Sequence, residues 1–493
     1  MGVDGICKIS YNIPVTPVPT KPLIVIVGLV AAILAQYLLA NASRSVTANV
    51  IPDASVTDSQ VVLANVPAAT PTSNVPIAPS TPPASALGAT AAPATAASKM
   101  SVRIGTAARK ATPSVAHIST PPVQAQALAP LPSANGYTAS NGQLYHNGQR
   151  IILHGVNWSG MESSGNSPDG LWQLSMDSLL TSMQSIGVNA VRLPLCPATI
   201  DGASVSNINT QQNPDLVNKN SLQVLDALMA KLDARGMYAL LDLHRQDCYP
   251  ASNPISELWY TAGYSESHWL NNLTALASRY RGNSHLIGID LKNEPHGSAT
   301  WGTGNAATDW NSAAERAGQR MLGTNPALLA FVEGVAENPV CSSLGNHFWG
   351  GNLEPANCTQ LQLPKNKVVY APHVYGPDVY SMPVFASSSF PSNMPAIWDQ
   401  QFGNQEKSNT VVPGEWGGKY GTSGGNGNAL ASDKVWQDAF VSYLSQHNIC
   451  SSFYWTWNPN SGDTGGVLQD NWVSTWGSKV ALLQKYWNSP QCR

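Results

Sequence analysis

"LIGIDLKNEPHG", residues 286–297, runs through apolar Ile287, Ile289 and Leu291 and then crowds Asn293, Glu294, Pro295 and His296 together. The first half reads as a buried strand and the second as its polar mouth. A glutamate in that position costs stability unless something needs it there. It needs a partner, and the rest of the chain supplies the places to look.

Seven more short apolar runs share this form, each ending in polar or aromatic residues. They are "IILHGVNW" (151–158), "AVRLPL" (190–195), "YALLDLH" (238–244), "LLAFVEG" (328–334), "KVVYAPHVY" (367–375), "VVPGEWGG" (411–418) and "SSFYWTWNP" (451–459). Helical stretches alternate with them, such as "SLQVLDALMAKLDARG" (221–236) and "SHWLNNLTALASRYRG" (267–282). Their apolar residues recur at three- and four-residue spacing, and Gly236 and Gly282 follow as C-cap glycines. Eight strands alternating with helices predict an α/β fold, a (β/α)8 TIM barrel with enlarged loops. A doubly wound open sheet is the competing arrangement, but no Gly-rich phosphate turn follows the first strand. Ahead of the barrel, "NGQLYHNGQRI" around His146-Asn147-Gly148 carries a hairpin signal.

The ordered region begins near residue 135 and extends to 493. All 15 Trp and all 7 Phe lie within it. Residues 43–134 are dominated by Pro, Ala, Ser and Thr without sustained periodicity, and read as a disordered linker that tethers the following domain. Before it, "PLIVIVGLVAAILAQYLLA" (22–40) is uninterrupted by charge, and "ANA" (40–42) offers a small-x-small cleavage site. Residues 1–42 therefore read either as a cleaved signal peptide or as an uncleaved membrane anchor. Both readings put the remaining chain outside the cytoplasm, with the membrane touched only through this segment. A net charge of -3 without a basic stripe gives no electrostatic case for nucleic acid. Six of the 7 Cys fall in the later region, which suits an oxidising compartment and up to three bridges. No CxxC pair or Cys/His spacing suggests a metal.

Reactive groups of such a barrel sit at the C-terminal ends of its strands. Reading those ends gives Trp158, Arg192, His244, Asn293 with Glu294, His373 with Tyr375, Glu415 and Trp455. Glu294 ends the fourth strand and Glu415 the seventh. Two carboxyls across an aromatic cleft are the minimum apparatus for glycoside cleavage: one stays protonated for the leaving oxygen, the other ionised for the anomeric carbon. Glu415 is the expected partner of Glu294.

Over residues 136–493 the chain resembles glycoside hydrolase family 5 and, within it, the bacterial endo-β-1,4-glucanases. The resemblance is carried by "IGIDLK" before "NEPH" (293–296), "GEWGG" (414–418), "VRLP" (191–194), "DLHRQDC" (242–248) and "ELWYT" (257–261). It continues in "VEGV" (332–335), "WGGNL" (349–353) and "WTWNPNSGDTGG" (455–466). It implies a secreted, monomeric enzyme that cleaves β-1,4-glucan internally with retention of configuration and without cofactor or metal. It implies Glu294 as acid/base and Glu415 as nucleophile. Asn293 would bond the sugar 2-hydroxyl, Arg192 would keep the nucleophile ionised, and Tyr375 would donate to the same carboxylate. His244 and His373 resemble polar contacts around the cleavage subsite, and Trp455 the platform under the reacting sugar. The family's pattern is broken at Trp416, where many relatives carry Phe, which leaves local packing and a subsite wall open.

Bland readings stand beside these. Arg192 also fits a structural ion pair, His244 and His373 fit satisfied core histidines, and Asp463 fits turn chemistry. A glucan offers apolar faces to Trp rings, so Trp158, Trp349 and Trp455, with Trp259 as an addition, are platform candidates, while Trp158, Trp349 and Trp457 could equally be core. The same machinery could act on mannan, xyloglucan or mixed-linkage glucan, and a catalytically silent carbohydrate-binding protein is the other class. The expected bridges are Cys341–Cys358, closing a short loop after the fifth strand, Cys450–Cys492, and Cys196–Cys248 between the loops of the second and third strands. Each pairing depends on Cα separation.

Overall fold

The computed structural model describes residues 136–248, 255–343, 345 and 347–493. The export segment and the linker expected before residue 135 lie outside them. Among the described residues no helix is long and apolar enough to cross a membrane.

Strands β1 (Tyr137–Ser140), β2 (Gln143–His146) and β3 (Gln149–Ile151) form a small antiparallel sheet. The β2–β3 turn is the two-residue loop Asn147-Gly148, with φ of 51° and 80°, as the Asn-Gly signal requires. The main sheet is parallel and follows in chain order: β4 (His154–Asn157), β5 (Ala190–Leu195), β6 (Tyr238–Leu243), β7 (Leu286–Asp290), β8 (Leu329–Val332), β9 (Val368–Tyr370), β10 (His373–Tyr375), β11 (Glu415–Gly417) and β12 (Ser452–Tyr454). Its ladder runs β10-β11-β12-β4-β5-β6-β7-β8-β9. The two ends of that ladder, β9 and β10, are consecutive pieces of one segment, the predicted strand 367–375. Only Ala371 and Pro372 separate them, and Pro372 brings no N–H to a ladder. Nine strands thus occupy eight positions, an arrangement consistent with a (β/α)8 barrel.

Helices α1 (Met176–Ser185), α2 (Ser221–Ala234), α3 (Glu266–Arg279), α4 (Trp310–Thr324), α5 (Met394–Gln401), α6 (Ala431–Gln446) and α7 (Gly477–Trp487) lie between and after the strands. Helix α2 opens on a capping box, in which the Asn220 side chain takes the Gln223 N–H and Gln223 answers to the Asn220 N–H. Gly236 adopts the left-handed φ of 66° that a C-cap glycine needs. Gly282 does not, because α3 already ends at Arg279, with Tyr280 as its cap.

Along each strand alternate residues face opposite ways. Ala190, Leu240, Leu329, Phe331 and Phe453 join Tyr137, Ala139 and Leu144 of the small sheet in one apolar cluster. Val191, Leu193, Ala239, Leu241, Ala330 and Val332 instead join the helices in a second cluster. The polar residues of the site continue the first set upward: Arg192 follows Ala190 by two, and Asp242 follows Leu240 by two.

All three expected disulfides are present, with Cα–Cα separations of 5.4 Å (Cys196–Cys248), 6.3 Å (Cys341–Cys358) and 5.2 Å (Cys450–Cys492). These lie in the range that a bridge can span.

Candidate active site

Arg192, fully buried on β5, is the hub beneath the strand ends. Its guanidinium donates to Glu415 Oε1 at 2.6 Å, Asn157 Oδ1 at 3.0 Å, Asn293 Oδ1 at 3.0 Å, and Asp290 Oδ2 at 2.9 and 3.1 Å. Asp242 lies 3.1 Å away and Glu333 3.3 Å away. One cation thus faces four carboxyls in a space closed to water. Burial pushes Asp242 and Asp290 up to about 7 and Glu333 up to about 8. Glu415 moves the other way: burial alone would raise it, but the charges of His373 and Arg192 and the Tyr375 hydrogen bond hold it below its ordinary value. The Tyr375 hydroxyl donates to Glu415 Oε2 at 2.5 Å.

Glu294 follows β7 in a left-handed backbone conformation, φ 52°, which is uncommon away from glycine. Its N–H donates to Glu333 Oε2 at 2.8 Å. Space for that contact comes from Gly350, where a Cβ would fall 2.0 Å from the same oxygen. Burial, opposed by His373 and reinforced by the charge of Glu415, pushes Glu294 up to about 7. Single oxygens of Glu294 and Glu415 and a ring nitrogen of His373 lie within 4.8 Å of one another.

His373 stands between the two glutamates. Its Nδ1 is 3.1 Å from Glu294 Oε1 and 3.4 Å from Glu415 Oε2. Its Nε2 is 3.0 Å from Glu333 Oε1, close enough to pair charges but too far off-line for a straight hydrogen bond. Burial works against its charge, yet Glu333 and Glu415 raise it well above the ordinary imidazole value. His244 is fixed by Asp242 at 2.6 Å, and burial drives it well below that value, so it stays neutral. Asn293 gives its oxygen to Arg192 and leaves its buried Nδ2 without a partner.

Above these groups opens a cleft of about 1240 Å³, lined by Glu294, Glu415, His244, Tyr375, Trp349 and Trp455 among others. The Trp455 ring lies parallel to His244, and its indole N–H donates to Ser461 Oγ at 3.2 Å. Trp349, 43% exposed, stacks face to face on His296 with centroids 3.7 Å apart. His296 Nδ1 in turn donates to the Glu294 carbonyl at 2.7 Å, which ties this platform to the acid's own backbone. Asp463 lines the cleft and also serves its turn, accepting from Ser461 Oγ at 2.8 Å and the Thr464 N–H at 2.9 Å.

Trp158 and Trp259 are corrected as platforms, and Trp416 and Trp457, left open by the sequence, prove to be core. Trp158 is fully buried and spends its N–H on the Asp169 carbonyl, so it is core and no sugar platform. Trp259 is equally buried, among Trp269 and Trp310. Trp416 packs against Phe440 and Tyr454 and donates to Ser452 Oγ, which makes it core packing and removes it as a subsite wall. Trp457 is fully buried too. Residues that strand-end reading passed over are Asp242, Asp290, Glu333 and Asn157, all in contact with Arg192.

Two carboxyls a few ångströms apart at the floor of an open aromatic cleft fit the apparatus of glycoside cleavage. The family model "Cellulase (glycosyl hydrolase family 5)" matches residues 145–461. The major extracellular endoglucanase of Xanthomonas campestris pv. campestris is 48% identical over 343 residues, 69% of each chain. An endoglucanase of Paenibacillus polymyxa is 44% identical over 361 residues, 72% of this chain and 87% of that one. The catalytic domain of the Xanthomonas enzyme superposes with a TM-score of 0.68, covering 71% of this chain and 99% of that one. A cellotetraose complex of an endocellulase from Pyrococcus horikoshii is 39% identical, with a TM-score of 0.68 and coverage of 72% and 99%. The chain belongs to glycosyl hydrolase family 5, the cellulase family.

Proposed function

We propose that this enzyme is a secreted, monomeric endo-β-1,4-glucanase that works with retention of configuration, Glu294 serving as acid/base and Glu415 as nucleophile. The observation that carries the mechanism is a pair of carboxyls whose oxygens come within 4.8 Å of each other, one of them, Glu415, held by Arg192 at 2.6 Å and Tyr375 at 2.5 Å. Retaining enzymes hold their carboxyl groups about 5–5.5 Å apart, whereas inverting ones leave room for a water. Named endoglucanases among its relatives, and the cellotetraose complex of one of them, support β-1,4-glucan as the substrate class. The disulfides and the extracellular Xanthomonas relative support export, through a leader or an anchor in residues 1–42, ahead of a linker in residues 43–134 and the catalytic domain in residues 135–493.

In the first step the Glu415 carboxylate attacks the anomeric carbon, the glycosidic C–O bond breaks, and the Glu294 proton passes to the departing oxygen. Arg192 and Tyr375 keep the nucleophile charged until then. In the second step Glu294, now ionised, takes a proton from water as its oxygen attacks the same carbon and Glu415 leaves. The unpartnered Asn293 N–H would meet the 2-hydroxyl of the reacting sugar. Trp455 forms the floor beneath that sugar, and Trp349 flanks the leaving portion. No step calls for a metal or a cofactor.

The test is the product anomer read by proton NMR during cleavage of a soluble cello-oligosaccharide. The β-anomer should form first and mutarotate; an initial α-anomer would sink the retaining assignment. Parallel assays on carboxymethylcellulose, lichenan, xyloglucan and galactomannan decide the glycan, and faster turnover of galactomannan or xyloglucan than of carboxymethylcellulose would overturn the glucanase reading.

A further inference from the structure

Lys292 is a cation that the reaction does not use, and it is fully buried. Lysine almost never occupies such a place unless its surroundings require the charge. Its Nζ donates to the carbonyl of Asn293, its own neighbour. The other side of the same peptide unit, the Glu294 N–H, donates to Glu333 Oε2 at 2.8 Å. One peptide plane is thus held at both poles, by an ammonium on its C=O and a carboxylate on its N–H. That plane joins Asn293 to Glu294.

The signs of the two charges fix its direction. The N–H and C=O of a trans peptide point opposite ways, so a flipped plane would turn its N–H on the ammonium and its C=O on the carboxylate. Burial lowers Lys292 to about 8, opposed by the charges of Glu333 and Glu294, so it is charged at neutral pH. Burial favours the acid form of Glu333, but donors face both its oxygens. The Glu294 N–H meets Oε2, while Arg192 at 3.3 Å and His373 at 3.0 Å face Oε1, a setting that favours the carboxylate. The flanking groups are engaged as well: the Asn293 N–H donates to the Leu243 carbonyl at 3.1 Å, and the Glu294 carbonyl accepts from His296. Such a hold has a purpose, because φ of 52° at Glu294 costs free energy in any residue with a side chain. A relaxed turn would swing the carboxyl away from His373, which it now meets at 3.1 Å.

We propose that Lys292 and Glu333 are positioning residues that lock the Asn293–Glu294 peptide and so aim the Glu294 proton at the glycosidic oxygen. This rests on the assignment of Glu294 as acid/base above. Both side chains are fully buried, so they act through Glu294 and not on the sugar. Proton transfer by a placed acid contributes about 10²–10⁴-fold, and a misplacement of about 1 Å costs about a hundredfold. Loosening the lock removes that part of the rate alone. It slows the breaking of bonds that need a proton and spares those that do not.

The experiment compares two substrates in one preparation: phenyl cellobioside, whose leaving group needs the proton, and dinitrophenyl cellobioside, whose leaving group does not. In Lys292→Met, kcat/KM on the phenyl substrate should fall about a hundredfold and on the dinitrophenyl substrate stay within about threefold of the parent. On the latter, kcat and KM should fall together, because water now attacks the glycosyl–enzyme without an aimed base. Azide, which needs no base, should restore kcat. The ratio of the two substrates does not depend on how much of the protein folds. Glu333→Gln reaches the same peptide from its other end, leaving an oxygen for the N–H without the charge, and should show the same split at about tenfold. It decides the matter if Lys292→Met yields no soluble protein. Equal losses on both substrates, an unmoved phenyl value, or failure of both variants to fold overturns the lock and leaves the glucanase reading intact. Glu294→Gln is the reference: if it lacks the split, Glu294 is not the acid, and the assignment and the lock fall together.

Discussion

Tyr375→Phe removes one oxygen and one hydrogen bond, and its effect on the pH profile follows from the geometry. The hydroxyl donates at 2.5 Å to a carboxylate that is also held by Arg192 at 2.6 Å. Its ring packs edge-on against Phe348 at 63°, a contact that Phe keeps, so the change is electrostatic rather than steric. Burial and the adjacent Glu415 charge hold the phenol proton far above its ordinary range, so Tyr375 acts only as a donor. A hydrogen bond to a charged group is worth about 1.5–3 kcal/mol, and a pKa unit about 1.4 kcal/mol. Donation favours the ionised form of Glu415, so losing it raises that pKa by about one to two units. The working enzyme needs Glu415 ionised and Glu294 protonated. Activity should therefore rise with pH as Glu415 loses its proton and fall near pH 7 as Glu294 loses its own. In Tyr375→Phe the acid limb of kcat/KM on an aryl cellobioside should move up by about one to two pH units, while the alkaline limb stays near 7. The profile narrows from one side. An unmoved acid limb, or two limbs moving together, would show that Tyr375 does not control the charge of Glu415.

Glu294→Gln should lose nearly all activity on glucan yet release an initial burst of phenol from an activated aryl cellobioside; Glu415→Gln should release none, and stopped-flow absorbance showing the reverse would exchange their roles. Arg192→Met should lower unfolding stability by about 3–5 kcal/mol in urea titration, because carboxyls stay buried without their cation; a midpoint equal to the parent's would refute the hub. Joint replacement of Cys341 and Cys358 by Ala should cost about 3 kcal/mol for a loop of this length, read as a lower melting temperature; free thiols at both positions in the unreduced parent would remove the bridge. A chain starting at Ser133 should keep its specific activity on soluble glucan, and a folded but mostly inactive product would give the linker a catalytic part.

Strand β5 was legible residue for residue at 190–195, because a parallel strand covered on both faces is apolar nearly throughout, and Arg192 is the one charge that breaks this run. The helix starting at Ser221 was equally plain from its period and its capping glycine. Tryptophans were harder. Asn157 points inward to Arg192, so its neighbour Trp158 must point outward into the helices; a single residue exchanges the faces. Trp416 stands outward after inward Glu415 for the same reason. Motif reading finds the strand end, but parity decides the direction. The same alternation would have found Glu333: Leu329 and Phe331 join the interior cluster, and the next residue in that series is Glu333. Glu294 was readable as a costly carboxyl, whereas its left-handed backbone is set by Glu333 and Gly350, distant in sequence.

The Arg192 hub has a consequence for how such an enzyme can change over generations. From β5 its guanidinium answers to side chains on β4, β6, β7 and β11 and to Glu333 just past β8, so replacing one leaves another buried group without a counterpart. A single substitution there meets selection as a loss of folding before any new chemistry could be tried. The loops bearing Trp349 and Trp455 present their rings to the cleft and share no buried charge of that kind. New glycan preferences are therefore reachable by stepwise change around the rim, while the floor can be exchanged only several residues at a time.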